Sequence, residues 1–283
     1  MTLVGTQQAS AAKALSDAGI ETAALDARVL LAHVTGLPSE EIWAARDRRL
    51  SADEQCRFEA LLVRRLAREP VAYLTGRREF WSLEIGVDRN VLIPRPDSEA
   101  LIEAVLAALP ERRAPRRVLD LGTGSGCLLM ALLAEWPNAV GVGVDRSEHA
   151  LGRARATAGV LGLGARASWL CADWASALTS QFDVVVSNPP YIPDDHIATL
   201  APDVARYEPL AALSGGADGL DAYRRLFAGL AARLAPRAIV AVEFGEGQGC
   251  HVAALAQAAG LATRNFVEDL SGRPRALLAS GTS

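Results

Sequence analysis

The sequence predicts an α/β fold in which a small all-helical region precedes a mostly parallel, seven-stranded sheet. Two observations carry this prediction. From about residue 117 onwards, short apolar runs of strand length alternate with longer helical patterns. Such alternation is typical of parallel sheets that are covered by helices on both faces. Before about residue 75, apolar residues follow helical spacing and no strand pattern is found.

The composition limits the class of protein. The chain has 283 residues, of which 50% are hydrophobic and 22% are charged, with a formal net charge of −4. A chain of this size buries about three-quarters of its unfolded surface, so it needs neither disulfides nor a metal ion to hold a core. The 4 cysteines lie far apart without zinc-ligand spacing, so we expect no metal site. The slight acidity disfavours a strongly basic face for nucleic acid.

The sequence predicts a cytoplasmic protein. Its longest apolar runs, such as 127–134, are well short of the ~20 residues that a membrane-spanning helix needs. The first residues lack the basic and apolar regions of a secretory signal. We therefore expect no membrane partner, and we expect a monomer.

Residues 1–75 are predicted to form a helical bundle. Ser51 and Glu54 have the spacing of a capping box, which marks the start of one helix. Gly36 and Pro38 interrupt the pattern, and Ser39 is expected to begin another helix. The segments with helical apolar spacing are 11–15, 24–33 and 59–66.

Residues 76–96 are predicted to form a β-hairpin that links the two parts of the chain. Its extended segments are expected at 80–85 and 90–93, joined by a turn at 86–88. Pro94 and Pro96 end the hairpin, and Asp97 is placed to cap the helix that follows.

Residues 97–283 are predicted to form a Rossmann-like domain. The first five strands should be parallel, and the last two should close the sheet as a pair. The predicted strands are 117–121, 139–145, 167–171, 182–187, 238–244, 263–267 and 275–279. The main predicted helices are 127–135, 148–158, 221–234 and 248–259.

A glycine-rich turn follows the first strand of this domain. Glycines permit positive φ angles and let a ligand lie against bare backbone at the carboxyl edge of a sheet. By itself, the turn is equally compatible with a tight strand–helix connection. Its candidate cofactor-binding residues are Asp120, Gly122, Thr123, Gly124, Ser125 and Gly126.

Two acidic residues flank this turn. Asp145 ends the second strand, where a carboxylate can accept hydrogen bonds from ribose hydroxyls. Asp120 precedes the glycines, where it would repel a pyrophosphate but attract an ammonium group. The glycine spacing also differs from the Gly-x-Gly-x-x-Gly of dinucleotide binders. S-adenosylmethionine carries an ammonium group and a ribose but no phosphate, so it is favoured over NAD.

Asp173 and Trp174 follow the third strand, at the sheet edge where an adenine ring would lie. Asp173 is placed to accept a hydrogen bond from the adenine amino group, and Trp174 is placed to wall the ring. A surface turn with a core tryptophan explains the same residues equally well.

A rigid turn, Asn188 to Tyr191, follows the fourth strand. Its prolines, Pro189 and Pro190, fix φ and remove two N–H donors. The Asn188 side-chain carbonyl and the Pro189 backbone carbonyl can accept both hydrogens of a planar amino group, on which Tyr191 can stack. Such a nitrogen is a poor nucleophile, so orientation and stabilisation of its developing charge are the help it needs. A simple loop break is the alternative interpretation.

Together, the glycine turn and the Asn-Pro-Pro-Tyr turn resemble class I methyltransferases that modify planar exocyclic nitrogens. Further motifs resemble the HemK family, the peptide chain release factor N5-glutamine methyltransferases. The resemblance covers nearly the whole chain, and Ser98 replaces the usual Thr of one motif. The matching segments are Glu-Pro-Val-Ala-Tyr-Leu-Thr-Gly from Glu69, Arg-Glu-Phe-Trp-Ser-Leu from Arg78, Leu-Ile-Pro-Arg-Pro-Asp from Leu92 and Arg-Tyr-Glu-Pro-Leu from Arg206.

This resemblance implies a methyl donor, S-adenosylmethionine, and a substrate, the Gln of the Gly-Gly-Gln loop in bacterial class I release factors. It implies that the glycine turn, Asp145, Trp174 and Asn188 bind the donor, and that residues 188–191 hold the Gln amide. It also implies that the helical domain helps to grip the protein substrate. Phe80 and Arg95 are further candidates for the Gln pocket, for which a packed hairpin and a structural ion pair are the alternatives.

Three other functions stay open at this point. A methyltransferase for adenine or guanine would use the same turn, but it predicts a basic face and a target-recognition domain. The Arg-rich segment 112–117 favours it slightly, although we expect no direct nucleic-acid partner. A methyltransferase for a ribosomal-protein glutamine is the second. A binding module that lost catalysis is the third, and the intact Asn188 counts against it.

Overall fold

The computed structural model describes residues 2–269 and 271–281. The chain divides into two compact units. The helical unit holds the chain up to Arg77 together with Ala201–Tyr207, and the sheet unit holds Arg78–Leu200 and the chain from Glu208 onwards.

The helices and strands alternate through most of the sheet unit. The α-helices of the described residues are α1 (Val4–Asp17), α2 (Ala23–Thr35), α3 (Ala52–Leu66), α4 (Val71–Thr75), α5 (Glu99–Ala108), α6 (Cys127–Glu135), α7 (Glu148–Val160), α8 (Pro202–Tyr207), α9 (Leu210–Leu213), α10 (Asp221–Phe227) and α11 (Gly249–Ala258). The strands are β1 (Arg77–Phe80), β2 (Leu83–Gly86), β3 (Arg117–Leu121), β4 (Val140–Asp145), β5 (Ala167–Cys171), β6 (Phe182–Ser187), β7 (Leu234–Glu243), β8 (Leu261–Glu268) and β9 (Pro274–Gly281). Short 3₁₀ helices lie at Pro96–Ser98, Asp194–Thr199 and Ala231–Arg233.

The helical unit packs α1, α2 and α3 around a core of its own. Leu15, Leu30 and Phe58 come from these three helices and are completely buried. The predicted capping box is confirmed at the start of α3. The Ser51 hydroxyl accepts a hydrogen bond from the Glu54 N–H at 3.1 Å, and the Glu54 carboxylate accepts one from the Ser51 N–H at 2.8 Å. Two backbone donors that would otherwise be unpaired are thereby satisfied.

The helix predicted from residue 39 onwards is wrong. Residues 39–47 form successive turns instead. The N–H groups of Val4 and Gly5, at the start of α1, donate to the carbonyls of Arg48 and Arg46, each at 2.9 Å. A helix that continued through these residues would use the same carbonyls for its own hydrogen bonds. The hydrogen bonds to α1 therefore replace those of the predicted helix.

A buried ion-pair network holds α8 in the helical unit. Arg65 of α3 is 4% exposed, and it donates to Asp26 and to Asp203 of α8, each at 2.7 Å. The Tyr207 hydroxyl, at the end of α8, donates to the Ala67 carbonyl at 2.6 Å. The segment 201–207 therefore belongs to the helical unit, although the flanking sequence belongs to the sheet unit.

The predicted seven-stranded, mostly parallel sheet is confirmed. Its strand order is β5-β4-β3-β6-β7-β9-β8. The strands from β5 to β7 are parallel, and β9 is antiparallel to both β7 and β8. The chain leaves β3 towards β4 and β5 and then returns to β6 on the other side of β3. This reversal leaves a crevice at the carboxyl ends of β3, β4 and β6, where open α/β sheets bind their ligands.

The core of the sheet unit supports those strand ends. Leu119 of β3 and Val185 of β6 are completely buried, as is Tyr223 of α10. The Tyr223 hydroxyl donates to the backbone carbonyl of Glu243 at 2.9 Å, so α10 fixes the end of β7. Because packed interiors are dense and hardly compressible, residues at these strand ends have well-defined positions.

The linking hairpin is present, but the predicted strand positions are wrong. β1 and β2 are joined by Trp81 and Ser82, whose φ angles are 54° and 58°. The predicted strand 80–85 thus contains the turn, and 90–93 forms no strand. Positive φ at both central positions matches the twist of a tight hairpin, but it is normally supplied by Asn or Gly.

The helix predicted over 221–234 is too long. Its first part is α10, which ends at Phe227. Gly229 has a φ of 73°, a left-handed conformation that ends helices. A 3₁₀ turn follows at Ala231–Arg233, and β7 begins at Leu234.

Among the described residues, no helix combines the length and apolar character needed to cross a membrane.

Candidate active site

The sheet unit has a cavity of about 750 Å³ at the carboxyl ends of β3, β4 and β6. This volume lies within the ~300–1,000 Å³ of typical small-molecule sites. Most of the sequence-predicted site residues meet there. Those that line the cavity are Gly122, Thr123, Gly124, Ser125, Asp145, Asp173, Trp174, Asn188, Pro190 and Arg95.

The other predicted residues do not line this cavity; they are Asp120, Gly126, Pro189, Tyr191 and Phe80. Phe80 is 1% exposed at the end of β1, so the packed-hairpin interpretation describes it. Gly126 has a φ of 80°, and a Cβ there would lie 2.9 Å from Met130 Cε. Packing behind the turn, together with the left-handed backbone, accounts for this glycine.

Gly124 is the point at which the turn presents bare backbone. Its φ is 53°, and a Cβ added there would meet nothing closer than the Gly122 carbonyl oxygen at 4.0 Å. The N–H groups of Gly122 and Thr123 both donate to the Val144 carbonyl at 2.9 Å. These bonds tie the turn to β4, so the open backbone of Gly124 is held rigidly.

Asp145 at the end of β4 is held through both carboxylate oxygens. Oδ2 accepts a hydrogen bond from the Gly124 N–H and Oδ1 accepts one from the Ser147 N–H, each at 2.9 Å. Ser147 in turn caps α7. Each carboxylate oxygen can accept a further bond. Asp145 therefore offers two fixed acceptors, which suit a pair of vicinal hydroxyl groups.

Asp120 lies behind the turn. It is 1% exposed, and its Oδ2 accepts a hydrogen bond from the Thr123 hydroxyl at 2.6 Å. Its Oδ1 is buried without a hydrogen-bond partner among the residues that the structure describes. Burial raises the pKa of Asp120 to about 7, and the nearby Asp145 charge acts in the same direction. A cationic group in the cavity would stabilise this carboxylate through the wall formed by Thr123.

Asp173 and Trp174 have different environments. Asp173 is about half exposed and accepts a hydrogen bond from Arg225 at 2.5 Å, so one of its oxygens is already engaged. Trp174 lies against the glycine turn, because a Cβ at Gly122 would be 3.6 Å from its ring. The indole forms one wall of the cavity and also packs against the sheet core.

Asn188 is held by two residues that the sequence analysis did not assign to the site. Its Nδ2 donates to the Ser98 hydroxyl at 3.2 Å, and that hydroxyl donates to Glu243 Oε2 at 2.5 Å. Ser187 pairs with Val242, so Asn188 and Glu243 follow at adjacent strand ends. An acidic residue that ends a buried strand was the available signal. Burial raises the pKa of Glu243 to about 7, opposed by its hydrogen bond with Ser98 and by the nearby Asn188 amide.

Arg95 fits both interpretations that the sequence left open, a residue of the glutamine pocket and a member of a structural ion pair. It lines the cavity, and it also donates to Glu208 Oε1 at 2.5 Å. The Glu208 side chain is 1% exposed and accepts a second bond from the Ile93 N–H at 3.3 Å. Burial raises the pKa of Glu208, whereas the Arg95 charge lowers it. The pair joins the segment before α5 to the loop around α9, which also lines the cavity.

Comparison with known proteins places this geometry in a family. The family models for the PrmC N-terminal domain and the methyltransferase small domain match residues 8–76 and 98–203. A release factor glutamine methyltransferase of Rhodospirillum rubrum is 48% identical over 265 residues, which cover 94% of this chain and 81% of that protein. This chain belongs to the release factor glutamine methyltransferase family. A second member, from Caulobacter vibrioides, is 45% identical over 280 residues, 98% of this chain and 96% of its own.

A solved structure supports the fold of this release factor glutamine methyltransferase family member. The catalytic domain of hMettl16, in complex with a MAT2A 3′UTR hairpin, is 18% identical and has a TM-score of 0.58 over 81% of each chain. At this identity the likeness concerns the fold alone, which is that of class I methyltransferases. Its membership of the family makes the chain a methyltransferase. Its cavity lies at the carboxyl edge of the sheet, where open α/β folds bind ligands.

Proposed function

We propose that this enzyme transfers a methyl group from S-adenosylmethionine to the side-chain amide nitrogen, N5, of a glutamine. The proposed glutamine is that of the Gly-Gly-Gln motif in bacterial class I release factors. The names of the relatives support this substrate class. The observation that carries the proposal is Asn188, which lines the cavity with its Nδ2 bonded inward to Ser98.

The cavity fits the proposed methyl donor. Asp145 would hold the ribose hydroxyls, Trp174 would wall the adenine, and the bare backbone of Gly124 would allow close approach. Asp120 Oδ1, which is buried without a hydrogen-bond partner among the described residues, would attract an ammonium group beyond Thr123. When bound, S-adenosylmethionine supplies a methyl group on a positively charged sulfur.

The Asn-Pro-Pro-Tyr turn suits the proposed acceptor. Because Asn188 Nδ2 donates to Ser98, its Oδ1 is the atom available to a ligand. Asn188 Oδ1 and the Pro189 carbonyl would accept the two hydrogens of the glutamine amide and turn the face of the nitrogen towards the methyl group. The nitrogen forms the new bond to carbon as the methyl–sulfur bond breaks, and it then loses one proton. Both acceptors stabilise the positive charge that develops on the nitrogen.

Tyr191 does not line the cavity itself but directly follows Pro190, which does, and it is proposed to stack on the planar amide. Burial raises the pKa of its phenol, and the Glu243 charge acts in the same direction. The phenol therefore stays neutral at ordinary pH and is unsuited to remove a proton. No strong base is needed, because the nitrogen becomes acidic once it is methylated.

The helical unit is proposed to bind the release factor. Its exposed large hydrophobic side chains include Trp43, 72% exposed, and Val63, 66% exposed. The guanidinium of Arg46 lies 5.2 Å from the centre of the Trp43 ring. Aromatic and Arg side chains are enriched at protein interfaces. The proposed substrate belongs to the translation machinery, so the proposed location is the cytoplasm.

The test compares four substrates with a labelled methyl donor. They are a purified class I release factor, the same factor with Ala in place of the Gln of Gly-Gly-Gln, ribosomal protein and ribosomal RNA. We expect label in the intact release factor alone. Label in ribosomal RNA or ribosomal protein, with none in the release factor, would replace the proposal with the corresponding alternative.

Asn188→Ala is the enzyme control in this test. Loss of one preorganised acceptor should lower the single-turnover rate by about 10²–10³, by analogy with oxyanion-hole donors. Affinity for the methyl donor should remain close to that of the wild type. If the variant retains more than about a tenth of the wild-type rate, well above this expectation, Asn188 does not orient the amide.

A further inference from the structure

We infer that Ser98 and Glu243 are positioning residues that fix the direction of the Asn188 carboxamide. The three side chains form a hydrogen-bonded series from Glu243 through Ser98 to Asn188. This inference rests on the proposed function, because it assigns to Asn188 Oδ1 the task of accepting a hydrogen from the substrate amide. Ser98, which also lines the cavity, and the buried Glu243 act on the substrate amide through Asn188.

The chemistry of the series gives it one direction. In its ionised form, which prevails above about pH 7, the Glu243 carboxylate can only accept hydrogen bonds, so the Ser98 hydroxyl donates to it. The hydroxyl oxygen is then left as an acceptor, and Asn188 can meet it only through its NH₂ group. The opposite end of the carboxamide, the acceptor Oδ1, is thereby turned away from Ser98. A flipped Asn188 would present donors to the donors of the substrate amide.

Burial of the Glu243 carboxylate lowers the stability of the fold, which indicates that the arrangement has a role. Ser98 and Glu243 are each 3% exposed, and in the described part of the chain no Arg, Lys or His lies within salt-bridge distance of Glu243. Arg275, whose charge lowers the pKa of Glu243, is instead paired with Asp269 at 3.1 Å. A buried carboxylate without a direct ion pair is destabilising. Its ability to specify the direction of Asn188 explains why a Gln of equal size would not serve.

The test uses two removals, one rescue and one control. Glu243→Gln keeps the size of the side chain but can donate as well as accept, so the direction is lost. Ser98→Ala removes the hydroxyl that bonds to both Glu243 and Asn188. Ser98→Thr retains the hydroxyl and should rescue it. Ser187→Ala is the matched control, because it removes a buried hydroxyl beside Asn188 that donates to the Leu121 carbonyl at 2.6 Å.

The expected result is a fall in the single-turnover rate without a change in the affinity for the methyl donor. Glu243→Gln and Ser98→Ala should each lower the single-turnover rate by about tenfold or more, a part of the 10²–10³ attributed to a preorganised group. Their affinity for S-adenosylmethionine, measured by calorimetry, should equal that of the wild type, which also verifies their folding. Ser98→Thr, which keeps the hydroxyl, and Ser187→Ala, which lies outside the hydrogen-bonded series, should retain rates within about twofold of the wild type.

Two results would overturn the inference. One is a wild-type rate in both Glu243→Gln and Ser98→Ala. The other is an equal loss in Ser98→Thr and Ser98→Ala, which would assign the effect to packing. A wild-type enzyme that does not methylate the release factor would instead refute the proposed function, so the two failures are distinguishable.

Discussion

Substitution of Asp145 tests the donor site most sharply, because the structure separates it from its neighbour Asp173. Both carboxylates are candidates for donor binding. Asp145 has both oxygens fixed by backbone N–H groups at 2.9 Å and lines the cavity. Asp173 is about half exposed and is already bonded to Arg225. We therefore expect Asp145 to contribute to affinity and Asp173 to contribute little.

The magnitude follows from the two acceptors of Asp145. Each charge-assisted bond to a ribose hydroxyl is worth about 1.5–3 kcal/mol. Loss of both in Asp145→Ala corresponds to about 3–6 kcal/mol, or a hundredfold or greater rise in Kd. Asp145→Asn keeps one acceptor oxygen but must choose between the ribose and its backbone partners. It should lose about tenfold to a hundredfold.

The assay is calorimetric titration of each variant with S-adenosylmethionine, with Asp173→Ala as the matched carboxylate control. That control loses a surface ion pair of about 0–1 kcal/mol and should change the Kd by less than about fivefold. Circular dichroism confirms that all variants are folded. Wild-type affinity in both Asp145 variants, or an equal loss in Asp173→Ala, would refute the assignment of Asp145 to the ribose.

Three further predictions concern stability, pH and the protein substrate. Arg65→Ala leaves Asp26, which is 6% exposed, without its ion-pair partner. The free energy of unfolding, measured in urea, should fall by about 3–5 kcal/mol. A loss below about 1 kcal/mol would contradict the buried network. Burial raises the pKa of both Asp120 and Glu243 to about 7. The folded, ligand-free protein then retains protons that the unfolded chain releases near pH 4, so its stability should decrease as pH rises through about 7; a Tm that is higher at pH 8 than at pH 6 would contradict this sign. Trp43→Ala, at a side chain 72% exposed, should leave the Tm nearly unchanged while weakening release-factor binding by about 1 kcal/mol or more, and unchanged binding would remove Trp43 from the interface.

The parts of the fold that local sequence determines could be predicted. The capping box at Ser51 depends on residues three positions apart, and the glycine turn depends on consecutive residues. Strand–helix alternation fixes the parallel sheet because connections between parallel strands must cross over. The hairpin was mislocated because Trp81 and Ser82 adopt positive φ, which their residue types do not signal.

The parts that could not be predicted depend on contacts between distant residues. Ser98 and Glu243 are 145 residues apart in the sequence, and Arg65 and Asp203 are 138 apart. No local pattern links such pairs. Their contacts exist only once the sheet and the helices have packed. Glu243 could have been noticed as an acidic residue that ends a buried strand, but its contact with Ser98 and the membership of α8 in the helical unit were beyond sequence reasoning.

The central claim is most directly tested by locating the methyl group. A class I release factor is incubated with the enzyme and S-adenosylmethionine, digested, and mapped by fragmentation mass spectrometry. The account predicts the mass of one added methyl group on the Gln of the Gly-Gly-Gln peptide, present with the wild-type enzyme and absent with Asn188→Ala over the same time. A methyl group on any other residue, or an unmodified peptide after complete reaction with a folded, donor-binding enzyme, would contradict it.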